Sequence, residues 1–313
     1  MANHDPALAR AIDQAQRALA DRNLQPDVSS WFDSISHTAT HRVREPSGRH
    51  AAWIDPVAQF DPATGRLDFA PAEPLLAERT RLDLIVDWVL ETHVHADHLS
   101  AGAWLRAQCG AKLGIGARIG EVQQHFSAVF SIDAQAEHLS QSFDHGFADG
   151  EQFSIGALPV TVLHVPGHTP ACVAYLIGDA LFVGDTLFMP DYGTARCDFP
   201  GGDARALFQS IQRLLQLPEQ TRVFLCHDYK SEQRAEYCWQ TSIGAERHNI
   251  HLQRYPDEAG FVAMREQRDQ TLDAPRLLLP SVQFNLRGGR LPPADTNHRR
   301  FFKLPISCDA SEW

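Results

Sequence analysis

The spacing of apolar residues predicts an amphipathic helix at the start of the chain and a series of strands after it. Within residues 1–25, the positions Leu8, Ile12, Ala15 and Leu19 recur every three or four residues, which places them on one helix face. The stretches HRVREP and HAAWIDPV are short and extended in character, and the SGR turn between them indicates a hairpin. The run RLDLIVDWVLETH is too apolar for a strand with one solvated face, so we expect a strand covered on both faces.

The same reasoning predicts helices and then a second group of strands in the rest of the chain. AGAWLRAQCG and IGEVQQHFSAVF predict helices, with the short strand AKLGIGA between them. FSIGALPVTVLHVPGH and CVAYLIGDALFVGDTLF predict consecutive antiparallel strands, and TRVFLCHDY predicts another strand after a helix that Asp203 caps. The last third predicts one more helix, in DEAGFVAMREQRDQTLDAP, and then an irregular tail that includes SVQFNLRGGRLPP.

This order of elements favours an α+β fold with a sheet-on-sheet core and helices on the outer faces. A chain of 313 residues, 43% of them hydrophobic, is long enough to bury such a core. We therefore predict an N-terminal helix in residues 1–25 and a single domain in residues 26–313, with a C-terminal extension over about residues 245–313.

Charge and composition exclude several classes of partner. The formal net charge of −11 argues against a nucleic-acid or anionic-membrane surface, because both need a concentrated positive field. No apolar window approaches the roughly 20 residues that span a bilayer, and the N-terminus has no apolar signal-peptide centre. The six cysteines are scattered without CxxC spacing, which indicates reduced thiols. We expect a soluble, cytoplasmic protein that binds neither nucleic acid nor membranes.

Candidate chemistry concentrates where the predicted strands end, above all in the segment ETHVHADHLS. Imidazole and carboxylate are ligands of first-row metals, and the two-residue period of a strand puts His93 and His95 on the same side. A single histidine at a strand end is by default a packed or surface residue, but a buried cluster without a cation would leave several polar groups unpaired. The predicted metal site comprises His93, His95, Asp97, His98, His168, Asp185 and His227.

Four motifs in this order, THVHADH, VPGHTP, FVGDTLF and CHDY, resemble those of the metallo-β-lactamase superfamily over about residues 30–235. The resemblance implies an αββα sandwich, in which two mixed β-sheets pack face to face with helices outside and the metal site at one edge. It leaves the chemistry open, because this superfamily includes hydrolases, nucleases and oxygen-using enzymes.

The loop after the FVGDTLF motif narrows the resemblance to one branch. Arg196, Asp198 and Phe199 match an Arg-x-Asp-Phe motif of the persulfide dioxygenases, which are close to glyoxalase II. This resemblance implies that one Fe(II) per subunit, held by two histidines and a carboxylate, oxidises glutathione persulfide with O2 to sulfite and glutathione. Such a triad leaves three coordination positions open. The iron ligands that it implies are His93, His168 and Asp185.

Two roles stay open for the other ligand-type residues, His95, Asp97, His98 and His227. In the dioxygenase, they orient ligands and waters around one iron by hydrogen bonds. In the alternative, a hydroxyacylglutathione hydrolase of glyoxalase II type, they complete a dinuclear site with Zn²⁺ as the metal, which polarises a carbonyl and activates water. All the residues that a dinuclear site requires are present, so the sequence does not separate the two reactions.

Substrate binding in so acidic a protein requires local cations or hydroxyl groups, because glutathione carries two carboxylates. Arg196 and Tyr229 match family positions that contact this part of the substrate, and Arg287 is a further candidate. The resemblance also implies a homodimer. The segment near residues 124–150 is longer than in short family members, and we expect a lid or a dimer contact there.

Overall fold

The computed structural model describes residues 5–306 of the chain. Parts of two predicted segments lie outside the described residues, namely residues 1–4 of the N-terminal helix segment and residues 307–313 of the C-terminal extension, with Cys308 among them. No helix within residues 5–306 combines the length and the apolar character that crossing a membrane requires.

The described range contains helices and strands in the following order along the chain. The helices are α1 Pro6–Ala20, α2 Glu73–Leu82, α3 Gly102–Cys109, α4 Ile119–Val129, α5 Ala204–Leu214, α6 Ile243–Glu246, α7 Ile250–Arg254, α8 Glu258–Asp269 and α9 Leu278–Asn285. The strands are β1 Asp27–Asp33, β2 Thr38–Arg44, β3 His50–Ile54, β4 Val57–Asp61, β5 Arg66–Asp68, β6 Ile85–Leu90, β7 Leu99–Ser100, β8 Lys112–Gly116, β9 His145–Phe147, β10 Gln152–Ile155, β11 Leu158–His164, β12 Val173–Ile177, β13 Ala180–Phe182, β14 Arg222–Phe224 and β15 Gln240–Ser242.

Two mixed sheets form the centre of the molecule, in the orders β1-β2-β3-β6-β8-β9 and β10-β11-β12-β13-β14-β15. Buried side chains of both sheets share one apolar cluster, in which Leu90 and Phe147 of the first sheet join Tyr175 and Phe182 of the second. Helices α1, α5 and α8 pack on the outside of the second sheet, and α2, α3 and α9 pack on the outside of the first. This arrangement confirms the predicted αββα sandwich.

The structure confirms several of the predicted elements. The N-terminal helix is α1, which Asp5 caps by accepting a hydrogen bond of 3.0 Å from the Leu8 amide. The predicted hairpin is β2 and β3, and the run from β10 to β13 is antiparallel throughout. Asp203 caps α5 by accepting from the amides of Arg205 and Ala206.

Two predictions need correction. The strand predicted to be covered on both faces is β6, which begins only at Ile85, and this first residue is 44% exposed. Only its end, at Val89 and Leu90 next to the metal loop, is fully buried as predicted. The prediction of an irregular tail is wrong for Leu278–Asn285, because these residues form α9. A proline suggests a break, but Pro280 lies in the first turn of this helix, where its missing N–H has no helical partner to lose.

The fold brings four loops to one edge of the sandwich. The loop after β6 carries residues 93–98, the loop after β11 carries His168, and the segments after β13 and β14 carry Asp185 and His227. Because β13 and β14 are parallel neighbours, the residues that follow them emerge at the same edge. The sandwich therefore places all the predicted ligands at one site.

Candidate metal centre

The structure brings the seven ligand-type residues together at this edge. One donor atom from each of His93, His168 and Asp185 lies within 4.8 Å of the other two. Asp185 Oδ2 is 3.8 Å from His168 Nε2, and Asp185 Oδ1 is 3.3 Å from His227 Nε2. Asp185 therefore belongs to this triad and also lies next to a second group. The donor atoms of that group lie within 4.8 Å of one another, and its members are His95, Asp97, His98 and His227.

The donor atoms of the cluster fit a metal ion. An unpaired polar atom in a protein interior costs roughly 1–3 kcal/mol, yet this cluster contains several such atoms close together. A cation bound among them would supply the missing partner of each, so the residues present suit the metal that the motifs imply. The buried atoms without a hydrogen-bond partner are His95 Nδ1, Asp97 Oδ2, His98 Nε2, Asp185 Oδ1 and His227 Nε2.

Hydrogen bonds on the far side of the imidazole rings set which nitrogen is available to the metal. His168 Nδ1 donates to the carbonyl oxygen of Arg196 over 2.8 Å, which leaves Nε2 with a lone pair. His95 Nε2 donates to Asp55 Oδ1 over 3.0 Å and lies 3.3 Å from Glu91 Oε2, which leaves Nδ1 available. Carboxylate partners of this kind orient a ligand ring and increase its basicity.

Asp55, Glu91 and Thr38 support the ligands, although no motif in the sequence singled them out. The Thr38 hydroxyl lies 3.3 Å from Nδ1 of both His98 and His227. Asp55 and Glu91 follow β3 and β6 directly, so the signal that identified the ligands, a polar residue at a strand end, was present for them too.

The buried charges of the cluster act on each other. Burial lowers the pKa of His93 well below its ordinary value, which keeps this ring neutral. Burial alone would also lower the pKa of His95, but Asp55 and then Glu91 raise it well above the ordinary value, so a cation at Nδ1 would take the place of the second ring proton. Burial raises the pKa of Glu91 itself. Since carboxylates this deep are costly without positive charge nearby, a bound cation would stabilise the site.

Two glycines allow the ligand loops to approach closely. Gly184, just before Asp185, has a φ of 52°, and a Cβ there would lie 2.5 Å from Thr92 Oγ1. Gly167, just before His168, has a φ of 145°, and a Cβ there would lie 2.4 Å from Leu207 Cα. Both positions therefore require glycine, for the backbone angle and for the space.

A cavity of about 310 Å³ opens onto the cluster, with Asp97, His168 and Asp185 at its inner end. Its walls are largely aromatic, and the exposed side chains of Arg268 and Arg276 line its solvent-facing, outer end. The aromatic residues are Phe188, Tyr192, Phe199 and Tyr229. A cavity that combines apolar walls, a few converging polar groups and buried carboxylates is typical of a small-molecule site.

Tyr229 lies at the junction of the cavity and the metal cluster, as the sequence predicts for a substrate contact. Its ring stacks on that of His227, with 5.6 Å between centroids and 17° between planes. Although 36% of the residue is exposed, burial of the phenol and the carboxylates of Asp97 and Asp185 raise its pKa well above the ordinary value. The phenol stays protonated and can donate a hydrogen bond into the cavity.

The predicted arginine contacts divide between two places. Arg196 lines the cavity, but Asp198 engages its guanidinium through two contacts of 2.6 Å. Arg287 is outside the cavity, because it is 5% exposed and donates to Glu137 over 2.7 Å. The structure therefore brings Arg196 to the site and does not bring Arg287 there.

Arg268 and Arg276 also line the cavity, and sequence reasoning missed them. No carboxylate among residues 5–306 lies within ion-pair distance of either guanidinium. Arginine suits the bidentate recognition of carboxylates, so these two side chains are available to an anionic ligand. Their place in and just after α8 depends on how this helix docks, which no local pattern indicates.

Comparison with known proteins supports the fold and the metal site. A family model described as the metallo-beta-lactamase superfamily matches residues 55–227. A protein of Burkholderia pseudomallei named "Probable metallo-hydrolase" is 44% identical over 291 residues, which cover 90% of this chain and 99% of that protein. The protein "Glyoxylase B2" of Dictyostelium discoideum is 41% identical over 261 residues, which cover 83% of this chain and 89% of that protein.

A solved structure is similar over most of the chain as well. The crystal structure of ETHE1 from Myxococcus xanthus superimposes with a TM-score of 0.67 and 29% sequence identity. The match covers 84% of this chain and 100% of that one. The similarity therefore includes the sandwich and extends beyond the segment that the family model matches.

Proposed function

The chain belongs to the metallo-beta-lactamase superfamily, and from that premise we propose that it is an iron-dependent persulfide dioxygenase that oxidises glutathione persulfide. The observation that carries this proposal is the contact between the Arg-x-Asp-Phe motif and a metal ligand. The Arg196 carbonyl accepts from His168 Nδ1, and the Phe199 ring packs edge-on against His168 at 5.2 Å between centroids. The motif by which the sequence resembles persulfide dioxygenases rather than glyoxalase II thus orients a ligand of the triad.

The structural similarity to ETHE1 from Myxococcus xanthus, over 84% of this chain, agrees with this proposal. In this account His93, His168 and Asp185 would hold Fe(II), with two histidines and one carboxylate as in other oxygen-using non-haem iron sites. When bound, Fe(II) supplies the one-electron chemistry that O2 requires and that Zn²⁺, a d¹⁰ ion, does not supply.

The residues around the cavity bind and orient the substrate. Arg268 and Arg276 pair with the carboxylates of glutathione at the outer end, which directs the persulfide sulfur toward the metal. The Tyr229 phenol donates to the substrate near the metal, and the aromatic walls exclude water. Glutathione persulfide, O2 and water become glutathione and sulfite, with one sulfite formed for each O2 consumed.

The second candidate is a hydroxyacylglutathione hydrolase with two metals, and one distance favours it. Asp185 Oδ1 is 3.3 Å from His227 Nε2, so the carboxylate lies where it could bridge two ions. The name "Glyoxylase B2" of the Dictyostelium relative agrees with this alternative. In a hydrolase of this type, the seven ligand-type residues would hold two zinc ions, which would supply the Lewis acidity that thioester hydrolysis needs.

A comparison of metals and substrates separates the two reactions. Protein purified without metal is loaded with Fe(II) or with Zn²⁺, and each form is offered glutathione persulfide and lactoylglutathione. We expect O2 consumption and sulfite only from the iron form with the persulfide. Hydrolysis of lactoylglutathione by the zinc form, without O2 uptake by the iron form, would assign the protein to the hydrolases.

A further inference from the structure

The tail motif SVQFNLRGG has no part in the function proposed above, yet its polar residues are deeply buried. Gln283 is 1% exposed and Asn285 is 4% exposed. Buried polar side chains in native proteins are retained where they make hydrogen bonds that the surrounding structure needs. The contacts of Asn285 lead directly to the metal centre.

Asn285, at the end of α9, binds the loop that carries the first four ligand-type residues. Its Nδ2 donates to the carbonyl oxygen of His95 over 2.9 Å and to that of His98 over 2.8 Å. Its Oδ1 accepts from the backbone amide of Ser100 over 2.8 Å. Both amide hydrogens and the oxygen of one side chain are therefore used to fix one loop.

We propose that Asn285 is a positioning residue that sets the metal affinity of the site. It fixes the backbone at His95 and His98, which belong to the same short loop as His93, and each of these two residues has one ring nitrogen in the cluster without a partner. The backbone φ and ψ angles set the direction of the Cα–Cβ bond, so holding the carbonyl fixes the point from which each imidazole projects into the cluster. Through Asn285, the C-terminal extension thus supports the metal centre in addition to packing on the domain.

A second route connects Asn285 to the ring of His95. Ser100, whose amide Asn285 accepts, donates its hydroxyl to Glu91 Oε1. The other oxygen of Glu91 lies 3.3 Å from His95 Nε2. Asn285, Ser100 and Glu91 therefore restrain both the backbone and the imidazole of His95, and such networks lose more than one bond when a member is removed.

Contacts of the residues that follow α9 help to keep Asn285 in place. Arg287 donates to Glu137 over 2.7 Å, which ties the helix end to the segment near residues 124–150. Gly289 has a φ of 81°, and a Cβ there would lie 2.8 Å from the carbonyl oxygen of Ser100. The segment near residues 124–150 and the Arg-Gly-Gly turn therefore both help to hold the end of α9 against the loop that carries the ligand-type residues.

The test compares Asn285→Ala with a matched substitution far from the metal. Gln14→Ala removes a similar buried side-chain amide, which donates to the carbonyls of Leu176 and Gly178 and accepts from Thr161. Affinity for Zn²⁺ and for Fe²⁺ is measured by competition with a chromophoric chelator, at a temperature where thermal denaturation shows both variants folded. We expect Asn285→Ala to lower the affinity for both metals by about tenfold or more. The affinities of Gln14→Ala should match those of the wild type.

Equal metal affinity in Asn285→Ala and the wild type, or an equal loss in both variants, would overturn the proposal. If Asn285→Ala does not fold, Asn285→Asp is measured against the same criterion, because it keeps the side-chain shape and the oxygen but loses the paired N–H donors. Affinity is measured without substrate, so the outcome does not depend on which reaction the protein catalyses.

Discussion

The two ends of the cavity come from different parts of the chain and are built differently. The inner end consists of residues from 93 to 227, all within the segment that the superfamily model matches. The arginines of the outer end, Arg268 and Arg276, lie beyond that segment. The inner end is tightly braced, since each ligand ring has a hydrogen-bonded partner behind it, whereas the outer arginines have no ion-pair partner among residues 5–306.

This difference indicates how the site divides its tasks. Metal binding needs fixed geometry, which strand ends and buried outer partners such as Asp55 provide. Substrate recognition needs only charge of the right sign at the right depth, so a helix and a loop added after the core can supply it. Substitutions at the inner end should therefore weaken or abolish metal binding, and those at the outer end should change substrate affinity alone.

The largest effect is expected from removing a ligand of the triad. His168→Ala and Asp185→Ala should each lose bound iron and lower activity by more than the roughly 10–100-fold that loss of an outer partner costs. Metal analysis and O2 consumption measure both. The control is His164→Ala, because His164 Nε2 donates to the Pro170 carbonyl instead of facing the cluster. An Asp185→Ala protein that keeps its iron and its activity would sink the ligand assignment.

A smaller loss is expected from Asp55→Asn, which removes one of the two carboxylates beside His95 Nε2 and leaves Glu91 as the other. Metal affinity should fall roughly 10–100-fold while the fold is kept. Chelator competition measures the affinity, and circular dichroism checks the fold. Asp87→Asn is the matched control, since Asp87 pairs with His50 at 2.9 Å outside the metal cluster. Unchanged affinity in Asp55→Asn would show that the inner end does not depend on its carboxylate partners.

Substitutions of the arginines at the outer end are expected to change KM alone. Hydrogen bonds to charged groups contribute about 1.5–3 kcal/mol, so Arg268→Gln and Arg276→Gln should each raise the KM for glutathione persulfide by about tenfold or more. The kcat and the metal content should stay as in the wild type. Arg254→Gln, at an exposed position that does not line the cavity, is the control. A fall in kcat with an unchanged KM would contradict the division of tasks.

The inner end could be predicted from the sequence because its signal is local. Histidines two residues apart at the end of an apolar strand, as in His93 and His95, combine a strand period with a ligand type. The later ligands occur in motifs that the family resemblance identifies one by one. The same apolar runs predict a sheet-on-sheet core with helices outside, and the family resemblance implies the αββα sandwich.

The outer end could not be predicted, because an arginine's role depends on what its guanidinium meets. The sequence does not indicate what the guanidinium of Arg287 or of Arg268 contacts. In the structure, Arg287 is buried against Glu137, whereas Arg268 lines the cavity. Asn285 gave no signal either, since its partners are backbone atoms 185–190 positions away along the chain. Contacts at such separations come from the docking of α8 and α9, which sequence period alone does not determine.

The smallest expected effect concerns the stability of the fold and comes from Glu246, the last residue of α6. Glu246 is fully buried, and burial raises its pKa to about 8. The folded protein therefore keeps a proton that the unfolded chain, with a pKa of 4.5, releases, so stability should fall as pH rises between these values. Glu246→Gln should remove this slope, as measured by urea unfolding across that range. The exposed Glu219→Gln should keep the slope, and a slope unchanged in Glu246→Gln would contradict the assignment.

The central claim, that one iron held by the triad makes a persulfide dioxygenase, is tested most directly by titration. Metal-free protein receives increasing Fe(II) under anaerobic conditions, and O2 uptake and sulfite are measured on addition of glutathione persulfide. The account predicts a rate that rises linearly and stops rising at one iron per chain, with one sulfite per O2. A rate that saturates only at two irons, or no uptake at any iron content, would contradict it.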